Sequence, residues 1–127
     1  MKKEDNMKFE IHQIHLTNEE YNKVNAEGHN SVPKHLAKID MSFVDNIGDH
    51  AYKAWDKGYY THVSNITLDD NTENNLNKVF EIGNIGPENN IERLSSMHSI
   101  SVGDIIIQGP VKWVVADCGF EEVREVA

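Results

Sequence analysis

One cysteine, three prolines and few cations say first what this chain of 127 residues is not. Cys118 has no second cysteine to pair with, which excludes an internal disulfide framework and suits a reducing compartment. Lys and Arg number 12 against 21 Asp and Glu, a net charge of −9. That balance withholds the basic surface that draws proteins to a phosphate backbone. No run approaches the roughly 18 apolar residues that cross a bilayer. The start, Met1-Lys2-Lys3-Glu4-Asp5-Asn6, is charged but lacks the apolar stretch of a secretory signal. There is no Walker loop, dinucleotide fingerprint, nucleophile elbow or zinc-protease helix. Gly83-Asn84-Ile85-Gly86 has the glycines of a phosphate cradle without its lysine and serine. The expectation is a cytoplasmic protein with no cofactor, no membrane contact and no direct nucleic-acid partner, a homo-oligomer being left open.

What is present is one domain's worth of patterned chain. The apolar fraction of 39% falls in runs, enough for a single core spanning 1–127, with residues 1–7 expected to be unstructured. Residues 8–16 suit a strand, with Phe9, Ile11 and Gln13 on one face and His12, Ile14 and Leu16 on the other. Thr17 and Glu20 form a capping box ahead of a helix running through Tyr21 and Val24 to Gly28. Pro33 opens a helix containing His35, Leu36 and Ile39, and a further helix spans Asp49 to Lys57. Residues 41–44 fit strand or loop. A second strand covers 59–68 and is followed by a helix over 72–83, carrying Leu76, Val79, Phe80 and Ile82, with Gly83 as its C-cap. Gly86-Pro87-Glu88 breaks the chain and starts another short helix through Ile91 and Leu94. His98 to Val123 then reads as two strands about a Gln108-Gly109-Pro110 turn, entered at Val102-Gly103-Asp104 and left at Cys118-Gly119-Phe120. The fold class is α+β: a single domain with a small antiparallel or mixed sheet, two to four short helices, and the C-terminal β-hairpin central to the sheet.

Order and spacing in the second half carry a family likeness. A strand leads into Leu76-Asn77-Lys78-Val79-Phe80-Glu81-Ile82-Gly83-Asn84. His98-Ser99-Ile100-Ser101-Val102-Gly103-Asp104-Ile105-Ile106 follows, and Cys118-Gly119-Phe120-Glu121-Glu122-Val123 closes the segment. Over residues 60–123 the chain resembles the YodL-like domain of phage, plasmid and other mobile-element proteins. It differs where the family commonly has a His-Pro-type segment, here Ile85-Gly86-Pro87-Glu88. The resemblance implies a mobile-element origin, phage above all, and a small accessory role; the family carries no settled activity.

Four readings compete. The acidity is uneven: residues 1–63 hold 10 acidic and 8 basic side chains, residues 64–127 hold 11 and 4. Asp69, Asp70, Glu73, Glu81, Glu88 and Glu92 therefore stand as interface charges for a host protein, with inhibition of a defence or nucleic-acid enzyme as the outcome. The rival is a small enzyme using His98, Asp104 and Cys118, because a thiol needs a nearby base to become a nucleophile. Structural duties compete for the same residues, His98 and Asp104 bonding the turn backbone and Cys118 sitting inert in a strand. No metal is expected: His12 and His15, three apart on a strand, point to opposite faces. Trp55, Tyr59 and Tyr60 beside Lys53 and Lys57 read as core packing with solvated lysines rather than a base-stacking platform.

Overall fold

The computed structural model describes residues 7–68 and 75–124. Among these residues six strands form one fully antiparallel sheet: β1 (Met7–Ile14), β2 (Tyr60–Leu68), β3 (Ile91–Arg93), β4 (Ile105–Gln108), β5 (Val111–Ala116) and β6 (Gly119–Glu122). Their order is β3-β2-β1-β4-β5-β6. Among the described residues four α-helices accompany them: α1 (Asn18–Glu27), α2 (Pro33–Asp40), α3 (Ile47–Asp56) and α4 (Asn75–Ile85). The class is α+β, and among the described residues no helix is long and apolar enough to cross a membrane.

Alternation along the strands makes two cores, one on each face of the sheet. Phe9, Ile11, Ile66, Ile106 and Val115 meet Val79 and Ile82 of α4 on the first face. Ile14, Ile105 and Val114 meet Ile47, Ala51 and Ala54 of α3, with Met41, on the second. The α3 residues fall four and three apart, one stripe of a helix, as do Val79 and Ile82. Each fully buried Phe or Ile contributes about 1.5–3 kcal/mol over its exposed state, so these layers dominate the fold's stability.

Local signals set most element ends. Thr17 Oγ1 accepts from the Glu20 amide at 3.1 Å, and Glu20 Oε1 accepts from the Thr17 amide at 2.8 Å. Pro33 takes the first turn of α2, and the 41–44 segment is loop. Gly109, with φ of +60°, supplies the positive φ at the first central position of the two-residue β4–β5 turn.

Four expectations are corrected. Met7 belongs to β1 rather than to an unstructured start. Gly83 does not cap α4, which runs on to Ile85; a Cβ there would lie 2.2 Å from Ile100 Cδ1, so this glycine permits close packing. The capping falls to Gly86, whose amide donates to Ile82 O at 2.9 Å. The helix expected through Ile91 and Leu94 is a single 3-10 turn, Glu88–Asn90, followed by β3. Ile91 pairs opposite Ile66 and packs on the first core, and that tertiary contact outweighs local helix preference. The C-terminal hairpin expected about Gly109-Pro110 is present as β4 and β5, and a third strand not expected from the sequence, β6, extends it into a meander. Its β4 lies beside β1 in the sheet's interior, while the Cys118-Gly119-Phe120 exit turns back into β6 at the edge. Part of the expected 72–83 helix, residues 72–74, lies outside the described residues.

Candidate functional site

Of the residues proposed for catalysis, the structure brings His98 and Asp104 together through a third, Gln13 of β1. Fully buried, Gln13 donates through Nε2 to Asp104 Oδ2 at 3.0 Å and to His98 O at 2.9 Å, and its Oε1 accepts from the His98 amide at 3.1 Å. Asp104 Oδ2 also accepts from the Ser101 amide at 2.9 Å. Burial pushes the Asp104 carboxyl up to about 7, against the opposing pull of these hydrogen bonds and of Lys38. Burial likewise lowers His98, which holds its ring neutral. A neutral ring fits both of its contacts: Nδ1 donates to Ser99 O at 2.8 Å and Nε2 accepts from Lys38 Nζ at 3.2 Å. Together these bonds pin the 98–104 loop to β1 and use the polar groups that catalysis would need. Cys118 sits in the β5–β6 turn, exposed, in a concavity containing Asp45, Asp117 and Glu121 and no histidine or lysine. Among the described residues no hydrogen bond links it to His98 or Asp104.

The acidic candidates divide. Asp69, Asp70 and Glu73 lie outside the described residues. Glu81 is exposed on α4. Glu88 accepts from Arg93 with both carboxylate oxygens, Nη2 lying 3.0 Å from Oε1. Glu92 alternates to the sheet face opposite α4, where its Oε1 accepts from Asn65 Nδ2 at 2.9 Å. Glu81 and Glu88 are thus separated from Glu92 by the sheet. Two large apolar side chains lie exposed close by in sequence, Ile85 at 82% and Leu94 at 49%.

On Glu92's face, sequence reasoning missed a cluster. Glu10 and His12 are two apart on β1 and share that face. Straight pairing from Ile11 opposite Ser64 would set Val63 opposite His12; a register shift between Ile11 and His12 instead sets His62 there. Glu10, His12 and His62 then offer donor atoms that all lie within 4.8 Å of one another, the one such group among the described residues. His12 Nε2 donates to Glu10 Oε1 at 3.0 Å, and the two imidazoles stack 4.6 Å apart at 13°. The Trp55 ring meets His12 edge-on at 4.9 Å, with Lys112 Nζ above it at 5.1 Å. Burial lowers His12 and outweighs its bond to Glu10, while the His12 bond lowers Glu10. The ring is neutral and the carboxyl charged, a donor set suited to holding a cation. The Glu10-x-His12 spacing was the available signal; His62 was not, because a bulge decides which way it points. Tyr59 and Tyr60 pack with Trp55 against the second core, and the Tyr60 hydroxyl donates to Gly103 O at 2.6 Å.

Comparison with known proteins finds no counterpart. No family model, no curated protein and no solved structure matches the chain. A separate groove of about 350 Å³ between α1, α2 and the 101–102 segment is lined by Tyr21, His35, Lys38 and Ser101.

Proposed function

We propose that the chain is a non-catalytic accessory protein of a phage or other mobile element that binds a host protein. Its partner is a protein with a basic surface, such as the cleft of a defence or nucleic-acid enzyme, which binding would obstruct. The observation that carries this reading is the end of α4 and the turn after it. There Ile85 is almost wholly exposed between Glu81 and Glu88 in the sequence, with Leu94 beyond. Exposed apolar side chains with acidic residues near them in sequence fit the mixed composition of an interface, and complementary charge speeds encounter and selects partners. The charge of −9 and the YodL-like resemblance over 60–123 support the same reading. The catalytic alternative gains no support, since His98 and Asp104 are spent on pinning a loop and Cys118 stands apart from both.

Capture from a host lysate, with wild type beside the variants Glu81→Lys and Ile85→Glu, tests the proposal. The expected result is one stoichiometric partner that is released at high salt and lost by both variants. A partner held equally by wild type and variants, or none at all, overturns it.

A further inference from the structure

We propose that Glu10, His12 and His62 form a binding site for a divalent transition-metal ion of the zinc class, on the sheet face opposite α4.

Two imidazoles and one carboxylate are borderline-hard donors that suit Zn²⁺ and its neighbours in the first transition row. Three protein ligands leave coordination positions open for water or a partner's side chain. Donor atoms about 2.0–2.2 Å from one tetrahedral ion stand about 3.3–3.6 Å apart. The three donor atoms, all within 4.8 Å of one another, reach that spacing by side-chain rotation, and Glu10, with a side chain 43% exposed, has room to make it. His12 Nε2 and Glu10 Oε1 already face each other across 3.0 Å. With an ion between them the ring's hydrogen resides on Nδ1, and the Nε2 lone pair turns to the metal. The imidazole stays neutral throughout.

The surroundings resemble an outer shell. Asn65 Oδ1 lies 2.8 Å from His62 Nε2, and the Asn65 amide is itself oriented by donating to Glu92 Oε1. This chain of contacts fixes the plane of the His62 ring, as outer partners do for ligating histidines. Trp55 meets the His12 ring edge-on and gives it an aromatic neighbour. The charges facing the group are Glu10 and Glu92 against Lys112 and Lys8. The bulge is an independent pointer, because it turns His62 rather than Val63 toward His12, at the cost of one regular pairing in the middle of a long strand pair. The inference does not depend on the partner-binding reading.

Calorimetric titration of the chelator-stripped full chain with zinc chloride tests it. The expected result is one Zn²⁺ per chain, with affinity reduced by more than about tenfold in Glu10→Gln and in His62→Gln. Tenfold is the lower bound of what losing even an outer partner of a ligand causes. His35→Gln serves as control, since His29 and His35 form another exposed histidine pair, 3.1 Å apart, and this variant should bind as wild type does. Should His62→Gln fail to fold by circular dichroism, the exposed Glu10 decides. No binding by wild type, binding that survives Glu10→Gln and His62→Gln, or binding lost in His35→Gln overturns the site.

Discussion

Asp104 ties stability to pH with a sign opposite to that of most carboxylates. Its side chain is buried, 1% exposed, and its Oδ2 accepts two hydrogen bonds, from Gln13 and from the Ser101 amide. Burial nevertheless dominates and raises the group from 3.8 to about 7. In the unfolded chain the carboxyl titrates near its ordinary value of about 4. Between those limits the folded protein keeps a proton that the unfolded chain has released, so stability falls as pH rises. The contribution is whole below about pH 4 and gone above about pH 7. At about 1.4 kcal/mol per pH unit, a window of roughly three units amounts to about 4 kcal/mol. Asp104→Asn removes the titration and keeps an oxygen to accept the same bonds. The variant should exceed wild type by up to about 4 kcal/mol at pH 8 and match it within about 1 kcal/mol near pH 4. Urea unfolding followed by tryptophan fluorescence, from pH 4.5 to 8 on both proteins, measures the difference, and titrations common to both cancel. Equal pH dependence in the two chains would refute the reasoning.

Gly83→Ala should destabilise the fold by about 1–3 kcal/mol. The new Cβ meets Ile100 Cδ1 at 2.2 Å and Cγ1 at 2.6 Å, an overpacking that exceeds the roughly 1 kcal/mol gained in helix propensity. In thermal melts, Gly83→Ala combined with Ile100→Ala should lose less than the two single changes added, and simple additivity would contradict the contact. Cys118→Ser should leave stability within about 0.5 kcal/mol and partner capture unaltered, because the residue is an exposed turn position. A loss of function in that variant would revive the catalytic reading.

What could be read from the chain alone was whatever rests on neighbours a few residues apart. The Thr17–Glu20 capping box, Pro33 at the head of α2, the Gly109 turn and the alternation of Phe9 and Ile11 against His12 and Ile14 all act within one turn or one strand. The physics that decides them is complete inside a short window. The α+β class followed from their order. Tertiary structure decided what depends on residues far apart in sequence. Ile91 reads as helix until Ile66 of β2 gives it a strand partner, and Gly83 reads as a cap until Ile100, 17 positions on, demands its missing Cβ. Asp104 reads as part of a catalytic set or as a turn brace until Gln13 of β1 reaches it. The candidate metal group shows the limit most clearly. Glu10 and His12 share a face by strand periodicity alone, but His62 joins them through a one-residue bulge in a pairing that spans some fifty residues. Side-chain direction in a sheet inverts with a single step of register, and register is set by the packed whole.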